Sequence, residues 1–445
     1  MRYGLVCMAM VLAATLLAGA ATGQAARSFG PDDYVYPEGK RFPLMLYSIH
    51  TPEEFAEAGE AGWNMGHRYN FDHSYIDLAG QNGWLSIAHL RGKTKVEAPV
   101  AAATAETTVA GAQAANPEEA GATGEKQTPT ERAQTEEEAA ADITLMAAYD
   151  NLAWWDLPEE LRYWREDEYD MVKNLSAWTR KHDPRQRPNI MYIAGHYSAE
   201  AVEKYVEYLD IIGTGIYTEY SHQPRAWVRW RMEETIRGIE LAGHEVGPDY
   251  RNGQRTPIGI PMLFCDITKM GVMIPQEAYH DFWSCIASGA RGIALFSYWH
   301  KRDVPTLQKT WELGYKRAAA NLMGAGGLDQ AILFGETVPL QVEVTKGPPM
   351  TPTFRPYGLE EDVSLPSVNV LAKSYQGTLY VITVSSHERP VTARVSGLPA
   401  GVEQLEVLFE ERPEEKGGNM VAVTDGAFEE EYPWLTVHLY RAPMP

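Results

Sequence analysis

Cysteine is nearly absent: the 445-residue chain holds three, Cys7, Cys265 and Cys285. That scarcity excludes a disulfide framework and a thiolate-rich structural zinc site. Basic clusters are missing too, and 60 acidic residues outweigh 39 basic ones to a formal net charge of −21. Such a field repels nucleic acid, which is not expected as a partner. No strand-like run leads into a GxGxxG or GxxxxGKS/T loop, which argues against nucleotide-binding folds. Long apolar runs are missing with one exception. Leu5 to Ala20 carries no charge, follows Arg2, and leads into the small residues around Gly23-Gln24-Ala25. It reads as a signal peptide over 1–25, so the mature chain is expected to be secreted or periplasmic, without membrane contact after cleavage. Cys7 leaves with that leader.

What the chain does have is aromatics, 12 Trp and 24 Tyr, and a repeating alternation of short apolar runs with amphipathic segments. The runs are Pro43 to Ile49, Trp63 to Tyr69, Leu85 to Leu90, Leu152 to Pro158, Asn189 to Ala194, Leu209 to Tyr217, Ile258 to Cys265 and Gly292 to Tyr298. Each precedes a helical pattern, as Thr51-Pro52-Glu53-Glu54 does after the first. Eight such units predict a (β/α)₈ barrel over 27–330, with an open doubly wound sheet as the competing arrangement. The stretch 97–141, rich in Ala, Thr, Glu and Gly and without aromatics, predicts a disordered insertion whose end, from about Thr130, feeds a helix reaching Ala148. From about 335 onward the period falls to two, in runs such as Val368 to Ala372, Thr378 to Val384 and Leu435 to Tyr440. That predicts a small C-terminal antiparallel β-sandwich over 335–445. Cys265 at the end of strand seven and Cys285 late in the next helix fall at opposite ends of the barrel. Two free, mostly buried thiols are expected.

Chemistry in such a barrel sits at the C-terminal ends of its strands. Those ends read His50; His67, Arg68 and Tyr69; His89 and Arg91; Trp155, Asp156, Glu159 and Glu160; His196 and Tyr197; Tyr217 and Glu219; Asp266; Tyr298, Trp299 and His300. Acids, imidazoles and aromatics round one opening describe a polar pocket able to hold many hydroxyls and to transfer protons.

Phe42-Pro43-Leu44-Met45-Leu46-Tyr47 and Ala58-Gly59-Glu60-Ala61-Gly62-Trp63-Asn64 resemble the opening of bacterial TIM-barrel glycoside hydrolases of the β-galactosidase and agarase kind. Asp183-Pro184 with Arg187-Pro188, and Ala287 to Ile293, are similar to later landmarks of that superfamily. The resemblance implies hydrolysis of an oligo- or polysaccharide by two carboxyl groups, one donating a proton to the leaving oxygen and the other attacking or activating water. The candidates are Asp156, Glu159, Glu160, Glu219 and Asp266. Such barrels often end strand four in Asp-Glu-Pro; here Leu157 stands where that Glu would be, and Glu159 is the nearest substitute. His67, Arg68, His89, Arg91, Trp155, His196, Tyr217, Trp299 and His300 are the expected substrate-binding residues. No cofactor or metal is expected, because HxH and HExxH spacings are missing. A non-catalytic carbohydrate-binding barrel and a metal-dependent hydrolase built on the histidines are the alternative readings.

Overall fold

The computed structural model describes residues 29–30, 33–69, 71–96, 130–247, 249–266, 268, 270–302, 304–413 and 418–444. The expected signal peptide, with Cys7, and the segment 97–129 lie outside the described residues.

The first strands are β1 (Leu44–Tyr47), β2 (Met65–His67) and β3 (Leu85–His89). A two-stranded antiparallel ribbon follows, β4 (Lys93–Val96) with β5 (Thr130–Ala133). The parallel strands then resume as β6 (Leu152–Asp156), β7 (Asn189–Ile193), β8 (Ile211–Ile216), β9 (Thr256–Pro261) and β10 (Ile293–Leu295). Those eight parallel strands close into a barrel in which β10 returns to β1. Every residue of β1, β2 and β6 to β10 is buried. Helices cover one face and side chains fill the other, which explains the continuous apolar runs.

The helix expected at the end of the insertion is present. Glu136–Ala147 is a helix, opened by a capping box between Thr135 and Glu138. It buries Ala139, Ile143 and Met146 along one stripe. The residues just before it are the strand β5, so the helix starts later than Thr130.

Helix Pro275–Ala287 ties the two units together. Ala278 to Ala287 are all buried, because the barrel covers one side and a sheet of the C-terminal domain the other. Phe282 and Ile286 share a core with Ile382, Val384 and Leu439. The C-terminal domain has strands β11 (Glu336–Thr337), β12 (Gln341–Lys346), β13 (Val368–Tyr375), β14 (Thr378–Ser385) and β15 (Val391–Ser396), then β16 (Gln404–Leu408), β17 (Met420–Ala422), β18 (Ala427–Tyr432) and β19 (Val437–Pro443). They form a six-stranded sheet, β11-β13-β14-β19-β16-β17, and a three-stranded one, β12-β15-β18. The fold is a (β/α)₈ barrel followed by an antiparallel β-sandwich. Cys265 and Cys285 are free thiols, the first half-buried and the second buried.

Candidate active site

Strand register brings three predicted residues together. His89 on β3 is aligned with Asp156 on β6, and Tyr47 on β1 with His67 on β2. His67 Nε2 and His89 Nδ1 both meet Asp156 Oδ2, at 3.0 and 2.7 Å. Asp156 is 1% exposed. Burial works to raise its pKa, but the two imidazole hydrogen bonds outweigh that and hold the carboxyl below its usual range. Burial pushes His67 down in turn, against the pull of Asp156. His67 is therefore neutral and donates from Nε2 to an ionised Asp156, while its Nδ1 and Asp156 Oδ1 are buried without a partner among the described residues. Tyr47 and Tyr69 roof this cluster, with ring centroids 4.4 and 4.8 Å from that of His67.

The chain leaves β6 through Leu157-Pro158-Glu159-Glu160. Leu157, in the place of the familiar glutamate, is wholly buried, and its N–H donates to the Ile190 carbonyl at 2.8 Å. Glu159 lies close enough to Asp156 and to the Tyr69 hydroxyl for both to act on its proton. Its Oε1 is buried without a partner among the described residues. Burial, and then the charge on Asp156, push the Glu159 pKa up to about 8. At neutral pH the strand-four end therefore holds one ionised carboxylate and one carboxylic acid. That separation of two nearby carboxyl groups is how acid and base roles are divided in one site.

The next residue, Glu160, lines a cavity of about 280 Å³ together with Tyr192, His196, Tyr217, Tyr220 and Phe264. Tyr192 and Tyr217 stack at 5.7 Å, and Tyr217 stacks on Phe296 at 5.6 Å. Gly215 makes the first of these stacks fit, since a Cβ there would run into the Tyr192 ring.

Other predicted residues lie elsewhere. Trp155 is a correction: it alternates with Asp156, so its side chain points outward, where its indole N–H donates to Asp183 at 2.9 Å. Arg68 pairs with Asp72 at 3.0 Å and Arg91 grips Asp142 at 3.0 and 2.5 Å, so neither offers an unneutralised charge to the mouth. Asp266 closes its own turn, accepting from the N–H and hydroxyl of Thr268 at 3.1 and 2.6 Å. Trp299 lies at the rim, stacked on His300 at 4.7 Å, and His300 shares a hydrogen bond with Ser297.

Glu219 is bound to Arg225, whose guanidinium also reaches Asp281 at 2.7 Å and Glu277 at 3.1 Å. Burial raises the Glu219 pKa despite Arg225. This network belongs to the seam between the barrel and the C-terminal domain. Replacing Arg225 by Met leaves Asp281 buried with only His280 and Thr218 as hydrogen-bond partners among the described residues, at 3.0 and 3.3 Å, and the loss of its cation is expected to cost about 3 kcal/mol of stability, read from urea unfolding.

Sequence reasoning missed Tyr47, Tyr192, Phe264 and Tyr357 as parts of the site. The three barrel aromatics looked like core residues. Tyr357 also lines the cavity, although it comes from beyond the barrel.

His67, His89 and Asp156 are the one group among the described residues whose ligand atoms, one from each, lie within 4.8 Å of one another, close enough to hold a metal ion. Two imidazoles and a carboxylate suit a divalent transition metal, which would replace the two hydrogen bonds now made to Asp156.

No family model matches the chain, and no curated protein matches it in sequence. Solved structures do. The α-amylase from Geobacillus thermoleovorans superposes with a TM-score of 0.51 at 8% identity, over 90% of this chain and 98% of that one. The GH51 arabinofuranosidase from Xanthomonas axonopodis pv. citri gives 0.51 at 11%, over 90% and 96%. An Anoxybacillus α-amylase gives 0.51 at 10%, over 88% and 90%. At these identities the likeness is one of fold.

Proposed function

We propose that this chain is a glycoside hydrolase that cleaves an oligo- or polysaccharide, with Glu159 as the proton donor. The observation that carries the reading is the pairing of an ionised Asp156 with a neighbouring Glu159 whose pKa is raised to about 8. Leaving-group oxygens need a proton at neutral pH, and only a carboxyl held neutral there can supply it. Glu160, on the wall of that cavity, is the second carboxylate in this reading, with the role of acting on the anomeric carbon or on water. Asp156 is a positioning residue, acting through the charge it sets beside Glu159. The fold shared with several glycoside hydrolases agrees with this reading. Membership of the β-galactosidase and agarase kind, and export through the leader at 1–25, are parts of the same proposal.

The test is a survey of aryl glycosides and polysaccharides with the purified mature chain. Turnover of any of them that disappears in Glu159→Gln supports the assignment. Sugar binding with no turnover across the panel would make this a carbohydrate-binding barrel instead. The cluster at His67, His89 and Asp156 favours one other reading, a hydrolase dependent on a divalent ion. Stoichiometric zinc or manganese in the purified protein, with activity lost to chelator and restored by the ion, would replace the carboxylate mechanism.

A further inference from the structure

Four partly exposed aromatic rings stand round the barrel mouth. Trp164, Tyr220, Trp299 and Tyr357 are between 40% and 57% exposed, and continuous ring contacts join them into two arcs. Trp164 packs on Tyr197 at 5.8 Å, Tyr197 on His196 at 4.7 Å, and His196 on Tyr357 at 5.7 Å. On the other arc, Tyr220 meets Phe264 at 6.0 Å, Phe264 meets His300 at 6.0 Å, and Trp299 stacks on His300. Tyr220, Phe264, His196 and Tyr357 line the same cavity. Apolar ring surface gathered at a cleft and left in water marks a binding surface.

Three of those exposed rings sit on segments that follow barrel strands, Trp299 in the short helix Tyr298–Arg302. Tyr357 does not: it lies at the tip of a hairpin from the C-terminal domain. Phe354 and Val363 exchange backbone hydrogen bonds at 2.9 and 2.7 Å, Thr351 N–H reaches the Leu365 carbonyl at 2.7 Å, and Arg355 pairs with Asp362 at 2.8 Å. The tip is seated on the barrel through Gly358. That residue has φ +84°, and a Cβ there would lie 2.8 Å from His196 Cβ and 3.0 Å from the His196 carbonyl. The hairpin is thus preorganised, and its glycine allows the close approach that holds the Tyr357 ring at the cavity.

Charge narrows the ligand. The cavity wall carries Glu160 and, among the described residues, no lysine or arginine, while Arg68 and Arg91 at neighbouring strand ends are already paired with carboxylates. An anionic sugar would meet Glu160 on that wall, and the cation felt there, Arg231 behind His196 and Tyr192, is wholly buried and out of a ligand's reach.

We propose that Tyr357 is a sugar-stacking residue through which the C-terminal domain completes the barrel's site, and that the ligand is a neutral oligosaccharide long enough to cover several of these rings. This rests on the glycoside reading above. Stacking uses the C–H face of a pyranose and needs no charge, while the cavity's tyrosine and histidine edges take the hydroxyls.

Calorimetric titration of Glu159→Gln keeps the probes intact. The probes are tetrasaccharides of gluco, xylo, galacto and manno configuration, with uronate and sulfated counterparts. At least one neutral tetrasaccharide is expected to bind. Adding Tyr357→Ala should weaken it about tenfold, as losing one aromatic stacking contact does, and Tyr357→Phe should leave it within about twofold. Gly358→Ala should behave like Tyr357→Ala while the far-UV spectrum is unchanged. Equal binding by the Ala and Phe variants would overturn the subsite while leaving the glycoside reading in place. Tighter binding of an anionic counterpart would overturn the neutral assignment. Binding of none of the probes, charged or neutral, would sink the glycoside reading and this inference with it.

Discussion

Replacing Glu159 by glutamine is expected to lower kcat/KM on glycosides by about 10²–10⁴-fold, the contribution usual for a general acid. Substrates with good leaving groups, such as dinitrophenyl glycosides, should lose least, because their departing oxygen needs no proton. The pH profile gives a second readout. Glu159 acts in its protonated form, so wild-type kcat/KM should fall as pH rises through about 8, and the residual activity of the variant should lack that limb. Stability should follow the same group. Between the ordinary value of 4.5 and the raised value of about 8 the folded chain holds a proton that the unfolded chain releases. The wild type is therefore progressively destabilised relative to its unfolded state as pH rises across that window. Glutamine carries no such proton, so the Tm of the variant relative to wild type should climb between those pH values and level off above them. Equal pH profiles for the two proteins would remove Glu159 from the mechanism.

Asp156→Ala is expected to destabilise the barrel by about 1–3 kcal/mol for each imidazole left without its acceptor, read in chemical denaturation. His67, itself wholly buried, loses the acceptor for its Nε2 proton, and His89 loses its partner as well. Asp156→Asn separates charge from packing. The amide fills the same space and retains a carbonyl acceptor, so it should keep most of the stability. It also removes the negative charge that raises Glu159. The basic limb of the pH–rate profile should then move below about 8, toward the usual glutamate range. An unmoved limb in a folded Asn variant would show that burial alone sets the Glu159 proton, and that Asp156 takes no part in positioning it.

These two residues show where sequence is informative. The eight barrel strands were legible because each is covered on both faces, so its residues form an uninterrupted apolar run. Strand ends then pointed to His67, His89, Asp156, Glu159, His196 and Tyr217, and the structure gathers these round one mouth. Direction was not legible. Trp154 and Trp155 are equally apolar neighbours, and only the alignment of Asp156 with His89 determines which of them faces the axis. The partners of arginines were equally hidden. Asp142 neutralises Arg91 from 51 positions away, and Asp281 meets Arg225 across 56. No local pattern encodes such pairings.

Composition was a weaker guide in two other places. Glu136 to Ala141 continues the Ala and Glu bias of the insertion, and the helix expected there is anchored by the later Ile143 and Met146. In the C-terminal domain, β12 and β18 were passed over because Gln341, Glu343, Glu429 and Glu431 interrupt them on the exposed face. Half-covered strands carry only half of the apolar signal. Tyr357 had no signal as a site residue, since it reaches the mouth from another domain by a hairpin turn.

The ribbon of β4 and β5 has a use of its own. Val96 and Thr130 are paired residues on adjacent antiparallel strands, so their backbones lie about 5 Å apart. Whatever connects them has only that gap to cross, which a two-residue Asn-Gly turn also crosses. The ribbon is thus a splice point beside the mouth. Residues 97–129 should be exchangeable for such a turn with the Tm held to within about 2–4 °C, the shift that 1 kcal/mol causes in a domain of 150–250 residues. The same junction should accept a grafted module, an affinity handle or a second sugar-binding unit, carried at the rim without recutting the barrel.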